Sequence, residues 1–241
     1  MSRRYFADSP ITGQNARLTG QEAQHLSKVM RAQIGDDLIV FDGGGAEFAA
    51  RVERVSRSEV ELSIMERYEI DRELSFRLSF GVALPKGDRQ RWLVEKLVEL
   101  GVSQLVPLVT SRSVAQPCGN AIERLRRAVV EASKQCGRNR LMAIGDPCSF
   151  DAFLAEASGT RVRLLAHPAT TSETMLRANS PGEDEDVAVI IGPEGGFTDE
   201  EVARSQEHEW RTISLGPRVL RTETAAVAIA AVFAVPSSVS R

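Results

Sequence analysis

From residue 76 onward, short apolar runs alternate with longer stretches of mixed polarity. The runs are FRLSFGVAL (76–84), QLVPLV (104–109), RVRLLA (161–166), VAVIIG (187–192) and TISLG (212–216). Short apolar runs bounded by turn residues fit buried strands. Between them, residues 88–100, 119–136, 149–157, 198–209 and 222–235 have helical spacing. Strands alternating with helices predict an α/β unit with a mostly parallel sheet covered on both faces. Ligand sites in such sheets lie at the carboxyl ends of the strands. Gly192-Pro193 and Gly216-Pro217 each stand at such an end.

The first 70 residues have a different period. QEAQHLSKVMR (21–31) has helical spacing through His25, Leu26, Val29 and Met30. DDLIVFDGGG then reads as a strand entering a turn, and Asp42-Gly43-Gly44 is hairpin chemistry. AEFAARVERV alternates, with Phe48, Ala50 and Val52 on one side and Val55 extending it; EVELSIME alternates through Val60, Leu62 and Ile64. Period-2 alternation predicts half-buried strands. The expected organisation is a small β-rich domain with one helix over residues 1–70, a charged linker at 66–73 (ERYEIDRE), and an α/β domain over 74–241. SPGEDED (180–186) reads as a surface loop.

Composition narrows the class. The 241 residues are 42% hydrophobic and 26% charged, as in an ordinary soluble globular protein. No apolar run approaches the roughly 20 residues of a membrane span. MSRRYFADSP lacks the apolar core of a signal peptide. Cys118, Cys136 and Cys148 contain no C-x-x-C pair, and His25, His167 and His208 stand far apart. That argues against a disulfide framework and a metal site and for a reducing, cytoplasmic setting. The net charge of −3 hides an asymmetry: residues 85–140 carry a net +6 and residues 141–241 a net −7. A basic middle fits a polyanion partner; a solvated basic helix face explains it equally well.

The two Gly-Pro turns carry the candidate chemistry. In GPEGGFTDEEV, Gly195 and Gly196 permit positive φ and close approach of backbone to a ligand, and Thr198 with Glu201 forms a capping box for the next helix. The segment is either a well-built strand–turn–helix connection or a ligand grip. It has neither a Walker lysine nor G-x-G-x-x-G spacing, which disfavours a nucleotide site of those types. In LGPRVLRTETAAVAIAAVFAV, charged residues at a helix start precede an almost uncharged Ala/Val/Ile helix. A helix apolar all round is buried, so 222–235 is expected in the core or at a subunit contact. Charge at its mouth needs a partner or a task; a structural salt bridge between an arginine and Glu223 is the plainer explanation.

IIGPEGGFTDEEV followed by LGPRVLRTETAAV closely resembles the C-terminal signature of the SPOUT-superfamily methyltransferases, and within them the 16S ribosomal RNA uridine-N3 methyltransferase family. The resemblance extends along nearly the whole chain, through RYF (4–6), HLSKVMR (25–31), LPKGDRQRWLVEKLVELGV (84–102), EASKQCGRNR (131–140) and LLAHP (164–168). It implies an N-terminal PUA-like β-barrel, a C-terminal SPOUT domain with a deep trefoil knot, a homodimer, and S-adenosylmethionine as cofactor. It also implies methylation of N3 of a uridine in the decoding region of 16S rRNA, within the small ribosomal subunit. No metal and no membrane partner is implied. Carried onto this chain, the cofactor site takes Leu165, His167 and Pro168 from LLAHP. It takes Ile191, Gly192, Glu194 and Gly196 from the second turn. From the third it takes Leu215, Gly216, Leu220, Arg221, Thr222, Thr224 and Ala225.

Methyl transfer to uridine N3 requires loss of the N3 proton, so the site should offer a base or a group that stabilises the uracil anion. Arg221 is the candidate stabiliser, and Glu223 the candidate base or orienter of the arginine. Cys136 reads as structural. Candidate RNA contacts are Lys28, Arg31, Lys86, Arg89, Arg91, Lys134, Arg138 and Arg140. Tyr5 or Phe6 could stack on a base or serve the core. Two other functions stay open: a SPOUT enzyme acting on tRNA or 23S rRNA, and a non-catalytic RNA-binding assembly protein.

Overall fold

A computed structural model describes residues 4–56, 58–114, 119–168 and 185–235. The chain divides into two compact units, Met1–Glu73 with Val130–Leu141, and Leu74–Val129 with Met142–Arg241.

The first unit is a five-stranded sheet of β1 (Arg4–Phe6), β2 (Asn15–Thr19), β3 (Asp37–Phe41), β4 (Glu47–Val55) and β5 (Glu59–Tyr68), in the order β1-β3-β4-β5-β2. β1 pairs with β3 in parallel and the other pairs are antiparallel. The alternation works as expected: Phe48, Ala50, Val52, Val60 and Leu62 are buried in one cluster with Leu38 and Val40. The β3–β4 hairpin turns through Asp42, whose Oδ1 accepts from the Gly44 N–H at 2.9 Å, with Gly43 at φ 84°. The expected single helix over 21–31 is instead α1 (Gly20–Gln24) continued by a π-helical turn, His25–Val29. Over so short a stretch, apolar spacing does not separate the two windings.

Residues 66–73 are not a free linker. β5 runs on through Tyr68, and the segment beyond it compensates buried polar groups. Arg138, Asn139, Arg4 and Glu47 are all buried. Arg138 Nε donates to Glu73 Oε1 at 3.0 Å, Asn139 Nδ2 to the Ile70 carbonyl at 2.9 Å, and Arg72 Nη1 to the Gly137 carbonyl at 2.9 Å. Arg4 pairs with Glu47 and Asn139. Glu66, Arg67, Glu69 and Asp71 of the charge run stay exposed, whereas Arg72 and Glu73 neutralise charges the fold buries.

The second unit contains β6 (Leu78–Val82), α2 (Arg89–Glu99), β7 (Gln104–Val109), the start of α3 (Asn120–Cys136), β8 (Ala143–Ile144), β9 (Cys148–Ser149) and α4 (Phe150–Glu156). It continues with β10 (Val162–Ala166), β11 (Val187–Ile191), α5 (Asp199–Glu207), β12 (Arg211–Ile213) and α6 (Thr222–Ala234). The strands lie parallel in the order β12-β10-β11-β6-β7-β8, with β9 also on β7. β11 is central and buried at every residue, which is why it reads as an unbroken apolar run. Phe150, Phe153 and Leu154 of α4 and Val202 of α5 pack on one face with Leu165, Ala188 and Ile190. α2 and α6 pack together, and α6 also contacts β11. Only one side of α6 is buried, through Ala225, Ala226, Ile229, Ala230 and Phe233; Val227, Ala228, Ala231 and Val232 are half-buried. A closed path for the expected knot includes residues 169–184, which lie outside the described residues, as does most of SPGEDED.

Candidate active site

Because β12, β10 and β11 are neighbours, their carboxyl ends bring together three turns that are far apart in sequence. The His167 N–H donates to the Ile213 carbonyl at 3.0 Å, joining the first turn to the third. Thr222 Oγ1 donates to the Gly192 carbonyl at 3.0 Å, joining the start of α6 to the second. Between them lies a cavity of about 310 Å³, within the range of small-molecule sites.

Eleven of the expected cofactor residues line this cavity. The first two turns contribute His167, Pro168, Ile191, Gly192, Glu194 and Gly196. The third turn and α6 contribute Leu215, Gly216, Leu220, Thr222 and Ala225. Leu165, Arg221 and Thr224 do not. Leu165 is fully buried within β10, where its side chain joins the core. Arg221 and Thr224 are exposed at the start of α6. Arg112, Phe197, Arg218 and Val219 also line the cavity and were missed. Arg112 lies 83 residues from Gly195, whose carbonyl it binds, and carries no motif signal. Arg218 and Val219 stand inside LGPRVLRTET and were legible there.

The walls fit a ligand with a flat apolar body and polar edges. Leu215, Leu220 and Ile191 supply apolar surface; the turns supply backbone polar groups. Gly196 has φ 67° and Gly216 φ 103°, and an added Cβ at either would meet nothing within 4 Å. An added Cβ at Gly192 would lie 2.9 Å from the Phe197 ring. Gly195, expected to share the positive φ of Gly196, does not have it. His167 Nδ1 is buried without a hydrogen-bond partner among the described residues.

The second turn is held from below. Thr198 and Glu201 form the full capping box of α5. Glu201 is buried; its Oε2 accepts from the Thr198 N–H at 2.9 Å and its Oε1 from the Ser111 N–H at 2.8 Å. Burial raises the Glu201 carboxyl pKa, but the backbone donors of Ser111 and Thr198 outweigh it and hold it below the usual carboxylate range. Arg112 Nη1 donates to the carbonyls of Gly195 at 2.8 Å and Phe197 at 3.1 Å.

Beside the cavity, Glu223 is buried and pairs with Arg89, not with Arg221. Arg89 Nη1 stands 3.4 Å from Glu223 Oε1, and Arg89 Nη2 stands 3.3 Å from Glu194 Oε1. Glu223 Oε2 is buried without a hydrogen-bond partner among the described residues. Arg221 is exposed, and no described residue pairs with it. The salt bridge between an arginine and Glu223 is therefore present, and its arginine comes from α2.

The candidate RNA contacts separate into two groups. Lys28, Arg31, Lys86 and Arg140 are exposed, and Arg91 is exposed but paired with Glu95 at 2.7 Å. Arg138 is buried against Glu73. Lys134 pairs with Glu22 at 2.7 Å and Glu131 at 3.0 Å; burial lowers its pKa, but these carboxylates outweigh that and raise it. Arg89 is committed to two glutamates. Arg138 and Lys134 are thus taken up in largely buried ion pairs, because a fold that buries a cation must pair it, whereas Arg89 is paired but 38% exposed. Tyr5 is buried in the core, and Phe6 packs on Phe41 with ring centroids 5.5 Å apart.

Comparisons with known proteins place the chain in a family. Residues 72–234 match a family model described as an RNA methyltransferase domain, and residues 18–65 one described as an RNA methyltransferase PUA domain. The ribosomal RNA small subunit methyltransferase E of Bacillus subtilis is 31% identical over 217 residues, 86% of this chain and 85% of that one. That of Synechocystis is 31% identical over 228 residues, 92% of this chain and 74% of the relative. A Legionella pneumophila protein solved in complex with the bound cofactor SAM superposes with a TM-score of 0.88 at 34% identity, over 96% of this chain and 97% of that one. Fold, site and matched domains together define an RNA methyltransferase with an N-terminal PUA domain. Within that class, the chain belongs to the ribosomal RNA small subunit methyltransferase E family. Among the described residues no helix is long and apolar enough to cross a membrane, and no cluster of ligating side chains could hold a metal ion.

Proposed function

We propose that this chain methylates N3 of one uridine in the decoding region of 16S rRNA, using S-adenosylmethionine and acting in the cytoplasm on the small ribosomal subunit. The observation that carries the reading is the cavity between three adjoining turns, apolar in its walls and polar in its backbone edges. Leu215, Leu220 and Ile191 would hold the flat adenine, and His167 Nδ1 and the turn carbonyls and amides would take its polar groups. When bound, the cofactor supplies an electrophilic methyl group on a sulfonium. The protein's part is to orient the uracil, receive the N3 proton and stabilise the resulting anion. Glu223 is assigned the first contact with the N3–H. Arg221, exposed and unpaired among the described residues beside it in sequence, is assigned the developing charge on a uracil carbonyl oxygen. Exposed Lys28, Arg31, Lys86 and Arg140 are assigned to RNA phosphates.

We also read the active form as a homodimer, because α6 leaves an apolar side of Val227, Ala228, Ala231 and Val232 only half-buried. Light scattering at micromolar concentration should give about twice 26.4 kDa. The target is tested by mass-spectrometric mapping of methylated nucleotides in rRNA from cells with and without the protein. A missing N3-methyluridine in 16S rRNA is the expected result, and a missing methyl group in tRNA or 23S rRNA would replace this reading.

A further inference from the structure

Arg89 opens α2, yet its guanidinium serves neither that helix nor solvent alone. One terminal nitrogen reaches Glu194, in the turn that lines the cofactor cavity, and the other reaches Glu223, in the first turn of α6. The two carboxylates lie on segments that Thr222 already ties together through the Gly192 carbonyl. The side chains differ sharply in exposure: 38% for Arg89, 43% for Glu194 and 8% for Glu223. Glu223 thus presents one oxygen to Arg89 and keeps the other, Oε2, buried with no donor among the described residues. A buried carboxylate oxygen left open is costly unless a donor arrives with a ligand. A single forked cation shared by two carboxylates also leaves the cluster one negative charge in excess, which favours a ligand N–H over a further acceptor.

We propose that Arg89 is a positioning residue: its fork fixes the Glu223 carboxylate against the cofactor turn, so that Oε2 is aimed as the acceptor for the target base's N–H. This rests on the uridine-N3 reading above. It differs from a phosphate contact, because the guanidinium acts on protein carboxylates and its two donors must point in two set directions. An ammonium group carries the same charge without that planar geometry.

The discriminating variant is Arg89→Lys, with Arg89→Gln and Glu223→Gln beside it. Under the proposal both Arg89 variants lower single-turnover rate at saturating cofactor and RNA by about 10–100-fold, the scale of a lost orienting contact. RNA affinity and its salt dependence stay within about threefold, and Arg89→Lys combined with Glu223→Gln is no slower than Glu223→Gln alone. If Arg89→Lys turns over normally while Arg89→Gln loses RNA affinity and about one unit of salt slope, Arg89 is a phosphate contact and the proposal fails. A lowered melting temperature with normal turnover below the transition likewise leaves only a structural ion pair and overturns it. Glu194→Gln removes only the half-exposed arm of the fork, so it guards against loss of fold. It should slow turnover and add nothing to Arg89→Lys; additive effects overturn the proposal. Mapping the wild-type product separately tests the N3 reading. A methyl group on another atom removes that reading, whereas dependence on the Arg89 fork is decided by the lysine variant.

Discussion

Thr222 Oγ1 donates to the Gly192 carbonyl at 3.0 Å, across 30 residues of chain. The bond fastens the first residue of α6 to the turn after β11, and both residues line the cavity. Thr222→Val keeps much of the volume but removes the donor. It should lower stability by about 0.5–1.5 kcal/mol and weaken S-adenosylmethionine binding about 5–30-fold, read by calorimetry. Unchanged binding would mean that the two segments hold their places without the bond.

The glycines of the second turn should respond differently. An added Cβ at Gly192 meets the buried Phe197 ring at 2.9 Å, whereas at Gly195 the nearest atoms are Arg112 carbons at 3.5 Å. Gly192→Ala is expected to cost about 1–3 kcal/mol through overpacking and to weaken cofactor binding. Gly195→Ala should fall within about 0.5 kcal/mol of the parent. Chemical denaturation of the two variants side by side checks the order, which would be wrong if Gly195→Ala proved the worse.

Arg221 has no described partner to lose, so its replacement should spare stability. Arg221→Lys is expected to lower turnover by about 10²–10³-fold, with little change in melting temperature. The loss of a planar donor, rather than of charge, would be responsible. Near-normal turnover at saturating cofactor and RNA would remove Arg221 from the reaction.

Glu201 sets a pH dependence. Its folded carboxyl lies below the usual carboxylate range despite burial, because the Ser111 and Thr198 N–H groups bind the ionised form. Its contribution is therefore complete above the unfolded-state value and is lost as pH falls through the lower folded value. Glu201→Gln should destabilise the protein by about 1–3 kcal/mol at pH 7, and the gap should narrow in acid. Urea titrations at pH 7 and in steps below pH 4.5 would show parallel curves if Glu201 contributed nothing ionic.

Arg138 and Arg140 are two residues apart and should fail in different assays. Arg138→Ala leaves Glu73 unpaired beside a buried site and is expected to cost about 3–5 kcal/mol of stability. Arg140→Ala should leave folding almost unchanged and reduce the salt slope of RNA binding by about one. Melting temperature and RNA titrations at several salt concentrations separate them; equal loss of RNA affinity in two folded variants would contradict the assignment.

Much of this protein was legible along the chain because the signals are local. Period-2 alternation in β4 and β5, the unbroken apolar run of β11, and the capping pair Thr198 and Glu201 each depend on residues within one element. So do the turn glycines that mark the cavity, since positive φ is a property of a single residue. β8 and β9, two residues each, were not legible, for no period exists over that length. Tertiary structure alone decided which charges are paired and with what. Lys134, Arg138 and Arg89 look like their exposed neighbours in sequence, and their partners Glu22, Glu73, Glu194 and Glu223 lie 65 to 134 residues away, or 105 for Glu194. An ion pair is fixed by where two backbones meet, and charge along a chain does not record that. The same reason gave Glu223 to Arg89 instead of Arg221 and brought Arg112 to the cavity wall.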